Sequence, residues 1–199
     1  MFFKKHTNSF DTGTPPPNER FLWGDLGTFA LIVLLFVLPV RLFVAQPFIV
    51  NGSSMESTFH NGEYLIVDEL TYRLDEPKRG DVIVFNFPDD PKKFFIKRII
   101  GLPGETVVFL NGAIRIINDE NPEGFALAEP YVAPKSQSTD TMTVTLNDQD
   151  YFVMGDNRNA SFDSRAWGPL KDDLIVGRAF LRLFPLQTIS IFPGNHTFE

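Results

Sequence analysis

Thr106-Val107-Val108-Phe109-Leu110-Asn111-Gly112-Ala113-Ile114-Arg115-Ile116-Ile117 consists of two apolar, β-branched runs joined by Asn-Gly. A two-residue connection needs positive φ at its central positions, and Asn and Gly accept that conformation at least cost. The segment therefore predicts an antiparallel hairpin. The same reading extends in both directions from it. Strand-like runs occur at Tyr64 to Val67, Asp81 to Phe87, Phe94 to Ile100, Thr141 to Leu146 and Tyr151 to Met154. Turn chemistry separates them at Asn61-Gly62, Arg79-Gly80 and Pro103-Gly104. No long amphipathic helical pattern follows residue 50. Glu120 to Asp140, polar and rich in Pro and Ser, reads as an irregular excursion. These elements predict a mostly β domain, an antiparallel sheet or barrel, over residues 47–199, with a smaller hairpin region at about 105–150.

Upstream the pattern changes. Leu26 to Val44 reads LGTFALIVLLFVLPVRLFV, with Arg41 its only charge. At ~1.5 Å per residue, this run covers most of a roughly 30 Å hydrocarbon core. Arg41 is near enough to the end to snorkel to the headgroups, and Pro39 can kink the last turn. A cleavable signal peptide is the competing reading. The preceding residues are too many and too mixed for its basic region, and Ala45 has bulky Phe43 two places before it rather than a small residue. The expectation is a cytoplasmic tail at 1–22 containing Pro15, Pro16 and Pro17, then a transmembrane anchor at 23–46. Lys4, Lys5 and Arg20 are balanced by Asp11, Glu19 and Asp25, so charge alone leaves the orientation open.

Composition removes several chemistries. There is no Cys, hence no disulfide framework, thiol nucleophile or Cys-based metal site. With only His6, His60 and His196, a multi-His metal centre is not expected, nor is any cofactor. A net charge of −7 argues against a nucleic-acid partner, whose phosphates would be repelled. Phe occurs 21 times against four Tyr, which favours rings with no hydroxyl to satisfy in a core or in lipid.

Four polar segments are candidates for chemistry. Val50-Asn51-Gly52-Ser53-Ser54-Met55-Glu56-Ser57-Thr58-Phe59 crowds small residues beside Ser54, allowing a peptide to approach closely and leaving a backbone N–H for an oxyanion. Alone, it is equally a turn. In Phe94 to Gly104, period-2 alternation puts Phe95, Lys97 and Ile99 on one face. An amine between apolar neighbours loses hydration; to serve as a base near neutrality its pKa must fall by about three from ~10.4. An exposed Lys is the alternative, since Ile96 and Ile100 occupy the other face. Tyr151 to Gly168 runs a strand into a loop where Asp163 and Arg165 can pair and Asp156 can reach a cation on a neighbouring strand. Arg79-Gly80-Asp81-Val82-Ile83-Val84-Phe85 is a turn entering a buried strand.

In this order and spacing, the apolar run, Ser-Met-x-x-Thr-Phe, Arg-Gly-Asp-Val, Ile-Lys-Arg-Ile-Ile-Gly-Leu-Pro-Gly and Gly-Asp-Asn-Arg with a following Asp-Ser-Arg-x-Trp-Gly resemble bacterial type I signal peptidases. The resemblance covers about residues 26–117 and 150–185. It implies a membrane-bound serine endopeptidase that removes signal peptides after a small-x-small motif, with Ser54 as nucleophile and Lys97 as general base. By the same match Ser161 orients Lys97, while Asp156, Asp163 and Arg165 hold the loop. Phe48, Val50, Met55, Phe59, Phe95 and Ile96 fall at its substrate pockets. The implied partners are signal peptides of secreted preproteins, the lipid bilayer and the nearby export machinery. The implied location is the cytoplasmic (inner) membrane, single-pass, with the catalytic domain outside.

The chemistry is coherent by itself. A neutral Lys97 amine takes the Ser54 proton, Ser54 Oγ attacks a carbonyl to give an acyl-enzyme, and the Ser54 N–H donates to the oxyanion. Gly52 stands where many relatives carry a second, hydroxyl donor, and Ser57 where Pro is usual. Among other readings, a Ser-His-Asp hydrolase through His60 lacks a Gly-x-Ser-x-Gly elbow. No Ser has Lys three residues later, as a penicillin-recognising enzyme requires. Self-cleaving repressors are soluble and carry a DNA-binding domain. A degenerate or non-enzymatic anchored β domain that binds peptides or a partner is the remaining alternative.

Overall fold

The structure, a computed structural model, describes residues 19–37, 45–137 and 139–198. They divide into two compact units, one containing the helical residues 19–37 and the other containing every strand. Helix α1 spans Glu19–Ile32 and passes into a π-helical turn at Val33–Val37. Leu26, Phe29, Leu31, Ile32, Leu34 and Leu35 are all exposed along it. Among the described residues, no helix is long and apolar enough to cross a membrane. Residues 38–44, with Pro39 and Arg41 of the expected span, lie outside the described residues, as does the arm 1–18.

The second unit is mostly antiparallel β, as its alternating runs predict. Its strands are β1 (Ala45–Ile49), β2 (Tyr64–Asp68), β3 (Val82–Phe87), β4 (Asp90–Gly101), β5 (Thr106–Leu110) and β6 (Ala113–Asn118), followed by β7 (Asn121–Ala126), β8 (Met142–Thr145), β9 (Asp150–Met154), β10 (Leu170–Lys171), β11 (Ile175–Phe184) and β12 (Ser190–Ile191). One short helix, α2 (Ser164–Trp167), follows β9. The larger sheet runs β1-β2-β11-β3-β4-β9-β10, with β12 added to β11; the smaller runs β7-β6-β5-β8. The Asn-Gly hairpin forms as expected: Leu110 pairs with Ala113, and Asn111 and Gly112 take φ of 50° and 83°.

Two strands depart from the expectation. The stretch from Glu120, expected to be irregular, opens on β7, which among the described residues pairs only with β6. Pro122 is tolerated there because an edge strand has a side with no ladder bond to donate. The long β11 lies centrally between β2 and β3. Its Arg178 and Arg182 are held by Asp81 at 3.0 Å and Glu63 at 3.2 Å. A Cβ on Gly177 would stand 2.2 Å from the Asp68 carbonyl oxygen, so close approach of β2 requires glycine.

Three apolar clusters support the sheets. Val107, Phe109, Ile114 and Ile116 of the smaller sheet pack on Ile100, Phe152 and Met154 of the larger. Ile83, Phe85, Ile99, Val153 and Leu170 form a second cluster. A third gathers Val50, Met55, Phe59, Leu65, Val82 and Ala179. Each of the larger side chains, Val, Leu, Ile, Met and Phe, contributes ~1.5–3 kcal/mol on full burial, enough to fix the turns that the clusters carry. Along β4, exposure gives way to burial at Lys97, immediately before the pairing with β9 starts at Arg98. Residues Phe94 to Arg98 pair with β3 on one side, and before Arg98 no strand among the described residues occupies the other.

Candidate active site

Ser54 lies in the turn between β1 and β2. The turn is closed by hydrogen bonds from the Val50 N–H to Glu63 O (2.9 Å) and from the Gly62 N–H to Val50 O (2.8 Å). The Gly52 N–H donates to Asn61 Oδ1 at 3.0 Å. Met55 and Phe59, 1% and 0% exposed, anchor the segment in the third cluster, leaving Ser54 half-buried above it. Ser57 has φ of 85°, and its hydroxyl donates to the Tyr131 carbonyl. Proline, which the resemblance leads one to expect here, is locked near −65°, so the backbone follows a path closed to it.

β4 delivers Lys97 to the same place. Its Nζ donates to Ser54 Oγ at 2.7 Å and to the Ile96 carbonyl at 2.9 Å. The side chain is buried, 4% exposed, and Nζ lies 5.4 Å from the centre of the Phe95 ring. Loss of hydration lowers its pKa to about 8, against the opposing pull of the Asp163 and Asp156 carboxylates. The exposed-Lys alternative is therefore not what the fold adopts. His60, by contrast, is exposed and makes no hydrogen bond to Ser54.

The loop after β9 holds this pair from behind. Asp156 accepts from Arg98 Nε (2.8 Å) and Nη2 (2.7 Å), both residues fully buried, and from the Thr58 hydroxyl of the nucleophile turn. The Asp163 carboxylate accepts from the Gly155 N–H (3.1 Å) and Arg165 Nε (2.8 Å) and caps α2. Both expected charge pairs thus exist. Arg165 also donates to Asp140 (2.9 Å) and the Arg158 carbonyl (2.7 Å). Ser161 lies beside the pair but does not make the expected hydrogen bond to Lys97: its buried Oγ has no hydrogen-bond partner among the described residues. That Oγ and the Ser54 carbonyl oxygen each lie 2.3 Å from the point a Cβ on Gly155 would occupy.

Sequence reasoning missed several supports. Asn157 donates its N–H to the Ser54 carbonyl (3.0 Å) and its Nδ2 to the Ser53 carbonyl (3.1 Å). Arg158 donates to the Gly155 carbonyl (2.9 Å) and pairs with Glu129, which comes from the expected excursion. Tyr131, from the same stretch, has its ring 3.9 Å from the Arg98 guanidinium. A signal did exist for Arg98: alternation puts a second charge inside an apolar strand, which requires a buried acid.

A cleft of about 740 Å³ opens between β1 and the first half of β4. Phe48, Val50, Phe95 and Ile96 line it, together with Ser54 and Lys97. The Phe48 and Phe94 rings meet across it at 5.2 Å, edge to face. Met55 and Phe59, the other two expected pocket residues, do not line the cleft; they lie in the core beneath it. Among the described residues β1 pairs only with β2, so both walls present strand edges. Among the described residues, no cluster of His, Cys, Asp or Glu could hold a metal ion.

The family described as "Signal peptidase, peptidase S26" matches residues 23–184. A "Probable signal peptidase I-2" of Synechocystis sp. is 36% identical over 187 residues, covering 92% of this chain and 81% of that protein. The "Signal peptidase I T" of Bacillus subtilis is 35% identical over 197 residues, covering 94% of this chain and 97% of that one. A crystal structure of a signal peptidase I from Enterococcus faecalis is 32% identical with a TM-score of 0.45, covering 52% of this chain and 97% of that one. With the family match spanning most of its length, the chain belongs to the signal peptidase family, peptidase S26.

Proposed function

We propose that this protein is a serine endopeptidase that removes N-terminal signal peptides from exported preproteins, with Ser54 as nucleophile and Lys97 as general base. One observation carries the assignment: a buried lysine, its pKa lowered to about 8, donates at 2.7 Å to a serine hydroxyl at the mouth of a cleft edged by two strands. With that pKa, about one Lys97 in ten is neutral at pH 7, against fewer than about one in a thousand for an ordinary lysine. The neutral amine takes the Ser54 proton as Oγ attacks the scissile carbonyl carbon. The oxyanion accepts from the Ser54 N–H, which donates to no other acceptor among the described residues. The Lys97 ammonium then gives its proton to the departing amine, leaving an acyl group on Ser54. Neutral again, Lys97 takes a proton from water, which attacks the ester and frees the signal peptide. A positioned base of this kind contributes about 10²–10⁴ in rate.

The substrate adds as an extended strand between β1 and β4, whose free backbone groups would pair with it. Phe48, Phe95 and Ile96 make the cleft shallow, which suits small residues before the scissile bond. The apolar helical residues exposed in α1, with the apolar run continuing to residue 44, support a single anchor in the cytoplasmic membrane, the catalytic domain lying outside near the export machinery. The test is cleavage of a purified preprotein ending its signal in Ala-x-Ala. Wild type should cut after the second Ala, while Ser54→Ala and Lys97→Ala should be inert; full activity in either variant refutes the pair.

A further inference from the structure

We infer that Asn157 is a positioning residue that aims the Ser54 N–H at the oxyanion; the inference rests on the Ser54 nucleophile proposed above. The peptide unit joining Ser53 to Ser54 is planar and trans, so its carbonyl and its N–H point in opposite directions. Asn157 Nδ2 binds the Ser53 carbonyl from the loop at 3.1 Å, and the Glu56 N–H binds the same oxygen at 3.1 Å from within the turn. The Ser54 N–H of the same plane is thereby turned away from that loop, and it meets no acceptor among the described residues. The next peptide plane is fixed by the same residue, since the Asn157 N–H binds the Ser54 carbonyl at 3.0 Å. One asparagine therefore binds two successive peptide planes, one on each side of the nucleophile, and shares the first with the Glu56 N–H.

Asn157 can do this because it is itself held. The Ala160 N–H bonds its carbonyl at 3.1 Å, closing the turn Arg158–Ala160. Arg158, 4% exposed, bridges the Gly155 carbonyl and the Glu129 carboxylate. Gly155 admits the approach, for a Cβ there would collide with the Ser54 carbonyl. Gly52 supplies no side-chain donor, and its own N–H is occupied by Asn61, so the orientation of the Ser54 N–H carries more of the oxyanion's stabilisation than it would beside a second donor.

Asn157→Ala removes the Nδ2 bond and keeps the backbone one, which leaves the Ser53 carbonyl to the Glu56 N–H alone and the Ser53–Ser54 plane less firmly set. Asn157→Asp keeps the shape and sets an oxygen against the Ser53 carbonyl. Using the full chain and a preprotein substrate, both variants should lose kcat by about tenfold or more, part of the effect of losing one oxyanion donor, with KM within about twofold. A peptide aldehyde ending in Ala, which forms a tetrahedral adduct on Ser54, should lose affinity by a similar factor. Uncleaved preprotein should bind Ser54→Ala and Ser54→Ala/Asn157→Ala equally, and the acid limb of the pH profile should not move, because Lys97 is untouched. Either variant keeping kcat within about threefold overturns the inference, as does equal loss of aldehyde and preprotein affinity, or a shifted acid limb. If Ser54→Ala is inert and Asn157→Ala is normal, this inference alone falls. If Ser54→Ala cleaves normally, the nucleophile assignment falls with it.

Discussion

Burying Lys97 should cost the protein stability, and by an amount its pKa sets. The pKa falls from an ordinary 10.5 to about 8 in the fold. At 1.36 kcal/mol for each pH unit, that difference is worth about 3 kcal/mol. Between the two values the unfolded chain binds more protons than the folded one, so stability rises as pH climbs through this window. Below about pH 8 the lysine is charged in both states and the whole cost is present. Lys97→Met keeps a chain of similar length without the charge and gives up the hydrogen bonds to Ser54 and Ile96. The stability of Lys97→Met relative to wild type should therefore be greatest at pH 7 and shrink by about 3 kcal/mol toward pH 10.5. Urea unfolding of both full chains in detergent, followed by the fluorescence of Trp167 beside Phe85 and Phe87, measures this. Groups common to both chains contribute equally and cancel in the difference. A difference that stays flat from pH 7 to 10.5 would show that Lys97 is not strained by burial and is a poor candidate for a base.

Other changes probe the scaffold around the pair. Gly155→Ala puts a Cβ 2.3 Å from both Ser161 Oγ and the Ser54 carbonyl oxygen, so steady-state preprotein assays should show kcat falling by at least about tenfold. Asp156→Asn leaves the fully buried Arg98 without its counter-charge and should cost about 3–5 kcal/mol in urea unfolding. Ser161→Ala should stay within about 0.5 kcal/mol of wild type, because its Oγ has no hydrogen bond to lose; a loss near 2 kcal/mol would mean that the hydroxyl is bonded after all.

Local chemistry made much of this molecule legible. Asn111-Gly112 declared its hairpin because few residue pairs take two positive φ values cheaply, and the strand at Phe94–Ile100 declared itself by alternation. Lys97 and Ser54 were readable for a different reason, the resemblance of their segments, in order, to those of type I signal peptidases; the residues alone left a turn and an exposed Lys open, and the fold brings the two to 2.7 Å. β11 was not readable. Its two arginines and glycine look like a surface segment until Glu63, Asp81 and the close-packed β2 backbone are in place, and all three come from distant parts of the chain. Glu129 and Tyr131 were hidden similarly. They belong to a polar stretch whose partners, Arg158 and Arg98, can be identified only once the loop after β9 has docked. Met55 and Phe59 were assigned to the substrate cleft through the resemblance, yet they anchor the turn that carries the nucleophile from below.

The pH dependence of kcat/KM for preprotein cleavage tests the central claim, that Lys97 must be neutral to activate Ser54. The account predicts a rate that rises about tenfold for each pH unit below an apparent pKa of about 8 and levels off above it. An acid limb near 6.5, the ordinary value for histidine, or a rate flat from pH 6 to 9, would contradict it.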